Sequence, residues 1–174
     1  METAIVSLIC IGLMFFGGMT MAQGFITSVD ASTVGLGQIS DRDEAIMRTE
    51  LSSVNTTLPS ANTLEVILEN RGQTKLASFS KWDVIVQFYD AQGNYYTKWL
   101  PYTEGILGDN EWEKAGIYLD AGDETPEEFE PNVLNPGEEI KIRAQLNPPA
   151  GAATTNLVVV CTPNGIPASI SFSP

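Results

Sequence analysis

Residues 4–26, AIVSLICIGLMFFGGMTMAQGFI, decide the architecture of this chain. No charged residue occurs between Glu2 and Asp30. As a helix the stretch would be about 35 Å long, at about 1.5 Å per residue, which is enough to cross a bilayer. It therefore predicts an apolar helix whose surface must be covered by lipid or by other protein.

The charges around this stretch do not fit a cleavable secretion signal. Such signals begin with Lys or Arg, whereas the first basic residue here is Arg42. An ordinary membrane anchor also has basic residues on its cytoplasmic side. Removal of a short basic prepeptide ahead of Met1 would explain the missing charge.

The composition predicts an acidic, folded protein that does not bind nucleic acid. Of the 174 residues, 43% are hydrophobic, which is enough for a packed core. A formal net charge of -13 has the wrong sign for a phosphate backbone or an anionic lipid surface. Histidine is absent from the sequence, which excludes histidine-based catalysis and metal ligation. Cys10 and Cys161 are expected to be free, inert thiols.

The helix is predicted to continue beyond the apolar stretch to about Val54. Ile39 and Ile46 recur at helical spacing in this region, and a break near Gly35 remains open. The next eight residues, NTTLPSAN, are rich in turn formers, and Pro59 prevents further helix. Residues 1–54 are therefore predicted as the helix and residues 55–62 as a joint.

Residues 63–174 read as a series of short strands. The runs at 62–70, 81–102, 111–119, 135–147 and 155–174 alternate or are β-rich, and Gly93 and Gly165 mark two hairpin loops. No helical pattern interrupts them. The predicted fold class is α+β: a long N-terminal hydrophobic helix followed by an antiparallel, immunoglobulin-like β-sandwich.

In this organisation the chain resembles the archaellins, the archaeal flagellins of the type IV pilin-like superfamily. The matching parts are AIVSLICIGLMFFGGM at the N-terminus, LEVILENRGQTKL at 64–76 and LNPGEEIKI at 134–142. Ile5 stands where bacterial type IV pilins carry glutamate, which is compatible with archaellins. Bulky Phe15 and Phe16 stand where archaellins are often alanine-rich.

The resemblance implies a structural subunit with no enzymatic activity and no cofactor, located in an extracellular archaellum filament at the cell surface. Its partners would be its own copies, the archaellum motor and membrane platform, and the cytoplasmic membrane before assembly. Only packing among many identical helices covers every side of an apolar helix in water, and non-closing contacts give a filament. The residues expected in the polymerisation core are Ile5, Leu8, Ile9, Gly12, Leu13, Phe16, Gly17 and Phe25.

Two other functions share this plan and stay open. One is a membrane-anchored binding module similar to archaellum stator proteins. The other is an adhesive type IV pilus subunit. The number of copies per cell would separate a filament subunit from a stator, and loss of swimming on deletion would separate an archaellin from an adhesive pilin.

Three further features have an ordinary and a functional interpretation. Acidic residues cluster in DNEWE and DAGDETPEEFE, where a solvated loop is favoured over a Ca²⁺ site and no metal ligand is assigned. Asn55 begins an N-x-[ST] sequon, which predicts N-glycosylation. Six aromatic residues are predicted as core or rim rather than as a sugar-binding strip: Trp82, Tyr95, Tyr96, Trp99, Tyr102 and Trp112.

Overall fold

The computed structural model describes residues 2–174, with the side chains of Glu2 and Ala31 outside the description. The chain divides into two compact units, Met1–Glu44 and Ala45–Pro174. The first unit belongs to helix α1, Glu2–Met47, which at 46 residues is about 69 Å long. Helical structure continues through Gly35, so α1 is one unbroken helix. The second unit contains the strands, and the predicted α+β fold is confirmed.

The strands form two antiparallel sheets. In chain order they are β1 Leu51–Ser60, β2 Thr63–Asn70, β3 Asp83–Tyr89, β4 Tyr95–Leu100, β5 Trp112–Asp120, β6 Thr125–Pro126, β7 Glu139–Gln145, β8 Asn156–Cys161 and β9 Pro167–Phe172. A short 3-10 helix at Phe79–Lys81 precedes β3. One sheet has the order β1-β2-β7-β5-β6 and the other the order β4-β3-β8-β9.

The core lies between the two sheets and follows from the alternation in the sequence. In β2 and β7 every second side chain is buried, because successive side chains of a strand point to opposite faces. The inward side chains of both sheets join one cluster that includes Leu64, Phe88, Trp112, Ile140 and Val158. Residues 45–174 thus have a hydrophobic core of their own.

The structure corrects the predicted end of the helix and the predicted joint. Helix α1 ends at Met47, not near Val54, and the region expected to be a joint is strand β1. Strand β1 pairs with β2 from Leu51 to Ser60, with one register shift at Val54 and a second between Thr57 and Ser60, where Pro59 lies. Pro59 is tolerated because β1 is an edge strand, where a missing N–H costs no ladder bond.

The segment after the helix is tied to the Asn-Arg-Gly turn that follows β2. The N–H groups of Arg71 and Gly72 donate to Glu50 O at 3.0 and 3.1 Å, and Gln73 N donates to Arg48 O at 2.7 Å. Only glycine allows this approach, because a Cβ on Gly72 would lie 2.5 Å from Glu50 N and 2.6 Å from Arg48 O.

Asn70 holds the same turn from inside the protein. Its side chain is fully buried, and its Nδ2 donates to Thr74 O at 2.8 Å and to Leu134 O at 3.0 Å. Its Oδ1 accepts a hydrogen bond from Gly72 N at 3.1 Å. The Asn-Arg-Gly motif is therefore a structural element that fixes the chain where it leaves the helix.

The β3–β4 hairpin contains the loop predicted from the sequence, with Gly93 at φ 81°. Its organising group is the carboxylate of Asp90, which accepts hydrogen bonds from Gln92 N and from the backbone and side chain of Asn94, each at 2.8 Å. Burial of Asp90 acts to raise the pKa of its carboxyl group. The hydrogen bonds, including a longer one from Tyr96, outweigh burial and hold that pKa below its usual value.

Candidate functional site

Helix α1 exposes large hydrophobic side chains around its whole circumference. The large hydrophobic side chains between Ile5 and Ile39 have exposed fractions from 46% at Val29 to 80% at Met21. Each such side chain gains about 1.5–3 kcal/mol on full burial. A surface of this kind marks a contact with lipid or with protein.

The residues predicted for the polymerisation core lie on more than one side of this helix. Spacings of four, three and four residues bring four of them into a single stripe: Ile5, Ile9, Gly12 and Phe16. Leu8 and Leu13 flank this stripe, one on each side, and Gly17 and Phe25 lie further round the circumference. Their role in polymerisation stays a prediction.

Sequence reasoning omitted other residues of the same surface. Phe15, Met14 and Met21 are 76%, 77% and 80% exposed, as much as any residue that was chosen. A helix that is apolar on all sides has no preferred face, so the spacing of apolar residues could not select among them. Gly12 and Gly17 have no atom within 4 Å of a Cβ position, so nothing in this chain requires glycine there.

Five hydroxyl groups of the helix, those of Ser7, Thr20, Thr27, Ser32 and Thr33, are hydrogen-bonded within the helix. Thr20 Oγ1 donates to Gly17 O, Thr27 Oγ1 to Gln23 O, and Ser7 Oγ to Thr3 O, each at 2.9 Å. A hydroxyl that bonds the carbonyl of the preceding turn needs no water. These polar residues are therefore compatible with an apolar environment around α1.

By length and composition, α1 is able to cross a membrane, and it is the one such helix among residues 2–174. After Glu2 its next charged residue is Asp30, and charges concentrate in the sequence DRDE at 41–44. The uncharged part, residues 3–29, is therefore the part that suits an apolar environment.

Two acidic residues of the head, Asp120 and Glu127, stabilise local turns. Glu127, which is largely buried, accepts hydrogen bonds from Phe129 N and Glu130 N, both at 2.8 Å. Asp120 caps a turn by accepting from Gly122 N at 2.8 Å. Among the described residues no group of acidic or sulfur side chains could hold a metal ion.

Both cysteines are free, as the sequence predicts. Cys10 is exposed on the helix, and Cys161 is half-buried in β8. Burial, and secondarily the nearby Asp83 carboxylate, raise the pKa of the Cys161 thiol. A raised pKa lowers the fraction of thiolate, which is the reactive form of the group.

The sequon and the aromatic residues lie in the head. Asn55 is exposed on edge strand β1, a position open to a modifying enzyme, and its glycosylation stays a prediction. Trp82 and Trp112 are buried in the core, as expected. Tyr95 and Trp99 lie outside the core, 54% and 58% exposed on β4, which is an edge strand.

No protein-family model and no curated protein matches the chain. Solved structures do. A chain of the archaellum periplasmic stator complex of FlaF and FlaG from Sulfolobus acidocaldarius is 23% identical, with a TM-score of 0.51 over 71% of this chain and 89% of that one. Archaeal flagellin FlaB1 from Methanocaldococcus jannaschii is 13% identical, with a TM-score of 0.53 over 72% and 90%. The archaeal flagellum of Methanospirillum hungatei strain JF1 is 10% identical, with a TM-score of 0.52 over 94% and 90%.

These similarities show that the chain has an archaellin-like fold. The first two matches cover about the share of the chain that the β-rich unit represents. The match to the M. hungatei flagellum covers 94% of the chain and therefore extends into helix α1. The three proteins are structural parts of archaella or archaeal flagella, not enzymes.

Proposed function

We propose that this protein is the structural subunit of an extracellular archaellum-type filament and polymerises through helix α1 for motility. The observation that carries the proposal is the exposed apolar surface on all sides of α1. A monomer cannot keep such a surface in water, because burial of apolar area is the dominant favourable term in association.

The helix would exchange one apolar environment for another during assembly. Before assembly, residues 3–29 lie in the cytoplasmic membrane, where lipid covers them. On extraction, the helices of other copies replace the lipid. The hydroxyl groups bonded within the helix need no new partners in either environment.

In this proposal α1 forms the filament core, and the sandwich forms the outer, hydrated layer. The acidic excess of residues 45–174, 17 acidic against 8 basic residues, keeps that layer soluble, and the net charge of -13 of the whole chain argues against a nucleic-acid partner. The other partners are the archaellum motor and membrane platform. The match to the M. hungatei flagellum, which includes the helix, supports this assignment.

A charge in the helix core tests the proposal. Ile9→Asp would place a carboxylate among packed apolar helices, where burial of an unpaired charge costs several kcal/mol. We expect sheared cell-surface filaments to be lost in this variant, with swimming lost too. Ile106→Asp is the matched control, because Ile106 is 97% exposed in a loop of the head and should tolerate the change.

The readouts are electron microscopy of sheared material and mass spectrometry of its protein bands. Wild-type filaments that contain none of this protein would overturn the proposal, and so would normal assembly of Ile9→Asp. If the filaments contain this protein but cells that lack it swim normally, the protein is an adhesive pilus subunit instead.

The stator-like alternative is favoured by one observation. The FlaF and FlaG match has the highest identity of the three, 23%. In that case α1 would stay in the membrane as a single-pass anchor, and the head would bind a partner at the cell surface. Few copies per cell and no protein in sheared filaments would support this alternative.

A further inference from the structure

The outer face of the four-stranded sheet carries almost no charge. Because Val84, Val86 and Phe88 are buried, the alternate residues of β3 point outward, and the strand register extends this face across the sheet. We call it the neutral face. It consists of Asp83, Ile85, Gln87, Tyr89, Tyr95, Thr97, Trp99, Leu157, Val159, Cys161, Pro167, Ser169 and Ser171.

Among the described residues of β3, β4, β8 and β9, Asp83 is the one charged residue of the neutral face, and its carboxylate already has a hydrogen-bond donor. Its Oδ1 accepts a hydrogen bond from Trp99 Nε1 at 2.9 Å. Tyr95 OH donates to Gln87 Oε1 at 3.1 Å, and the rings of Tyr95 and Tyr89 lie 5.1 Å apart. The exposed aromatic rings are therefore held in place on β3 and the edge strand β4 of the neutral face.

The outer face of the five-stranded sheet, in contrast to the neutral face, carries many charged residues. Glu65, Glu113 and Arg143 form ion pairs there, with N–O distances of 2.9 and 3.3 Å to Arg143. Glu69, Glu139 and Lys141 share this face by register. A charged outer face is typical of an antiparallel sheet exposed to solvent. The neutral face does not have this character.

We propose that the neutral face packs against the head of a second copy of this chain within the filament. This inference rests on the proposed function. Copies that each carry a net charge of -13 repel one another where acidic surfaces meet. Salt limits repulsion to about 8–10 Å, so only the surfaces in contact matter. A face without charge is where like-charged heads approach without juxtaposed carboxylates.

The size of the neutral face determines when the contact forms. Four strands about 4.8 Å apart, each about 20 Å long, give about 400 Å² per partner. A stable independent interface needs about 800 Å² per partner. The heads alone should therefore remain monomeric. The contact becomes favourable once polymerised helices hold the heads at high effective concentration.

The first test introduces charge on the neutral face. Trp99→Glu is compared with Leu119→Glu, because both wild-type residues are 58% exposed and Leu119 lies on β5 of the other sheet. We expect Trp99→Glu to lower the yield of sheared filaments about tenfold through like-charge juxtaposition. Leu119→Glu should leave it within about twofold. The isolated Leu119→Glu head should keep the wild-type melting temperature, and the Trp99→Glu head, which loses the hydrogen bond to Asp83, should stay folded with a melting temperature within about 5 °C of wild type.

The second test measures burial of the face on assembly. In a Cys10→Ala, Cys161→Ser background, Ser169→Cys places a thiol on the neutral face, and Thr125→Cys places one on the exposed edge strand β6. Maleimide labelling in sheared filaments is compared with labelling of the detergent-solubilised subunit. We expect protection only at Ser169→Cys, by about tenfold or more, as buried sites exclude the reagent.

The outcomes separate this inference from the proposed function. Wild-type filaments with Trp99→Glu at normal yield and Ser169→Cys freely labelled would overturn the inference and leave the filament proposal standing. Absence of the protein from filaments would overturn both. Protection of Ser169→Cys on intact cells but not in purified filaments would show a different occupant, such as a glycan or another protein, and would also overturn the inference.

Discussion

Replacing Gly72 with alanine would insert a methyl group against the backbone that follows helix α1. The new Cβ would lie 2.5 Å from Glu50 N and 2.6 Å from Arg48 O, far inside normal contact distances. Both atoms belong to the main chain, so no side-chain rotation relieves the overlap. The turn after β2 must therefore move away from residues 48–50.

This movement has a cost that can be worked out from the contacts. Overpacking of this kind costs about 1–3 kcal/mol. The displaced turn also weakens three hydrogen bonds from the N–H groups of residues 71–73, each with a net value of about 1 kcal/mol. Partial loss of these bonds gives a destabilisation of about 2–4 kcal/mol. For a unit of this size that corresponds to a melting temperature lowered by about 8–15 °C.

The assay is thermal unfolding of residues 45–174 by circular dichroism, since this unit has its own core. Gly105→Ala is the matched control, because its Cβ would meet only Thr103 Oγ1, at 3.7 Å. The control should change stability by no more than about 0.5 kcal/mol. If Gly72→Ala melts within about 2 °C of wild type, the turn does not hold the segment after the helix as described.

Two further predictions concern buried polar groups of the head. Asn70→Ala removes the side-chain donor to Thr74 O and one of the two donors to Leu134 O, which keeps the N–H of Leu76 at 3.0 Å, and should cost about 2–3 kcal/mol in urea unfolding; a midpoint equal to wild type would contradict this. Asp90 has a lowered pKa, so its stabilisation is full above the ordinary aspartate pKa of about 3.9 and is lost as pH falls through the folded-state pKa. Asp90→Asn should therefore unfold at less urea than wild type at pH 6, and this difference should shrink toward pH 2.

The β-rich unit was largely predictable because its signals are local. Alternation in β2 and β7 and the glycines of two hairpin loops specify strands and turns without distant partners. Strand β1 was missed, because LSSVNTTLPS has one fully buried residue, Leu51, and contains a proline. Its strand conformation comes from pairing with β2, a tertiary effect that overrides local propensity.

For the helix, the sequence indicated the kind of surface but not its contact residues. The uncharged stretch predicts a long apolar helix, and the structure shows one. Its end was placed too late because Ile39 and Ile46 keep helical spacing, whereas the chain turns at Thr49, whose N–H still donates to Ile46 O at 3.1 Å. Because apolar residues occur on every side of the helix, their spacing does not indicate which side contacts other copies. Phe15 and Met21 therefore could not be distinguished from the residues predicted for the polymerisation core.

The two units have opposite solvation requirements, and this opposition links the two proposals. Residues 45–174 satisfy their hydrophobic residues internally, whereas α1 leaves its hydrophobic residues exposed. Lipid around a membrane anchor and neighbouring helices in a filament core would both cover these hydrophobic side chains, so the helix alone does not distinguish the two functions. The occupant of the neutral face does, because a stator-like head would use such a face for its partner at the cell surface, whereas a filament subunit would use it against its own copies. Self-contact at Trp99 together with loss of filaments in Ile9→Asp is therefore expected of a filament subunit and not of an isolated anchor.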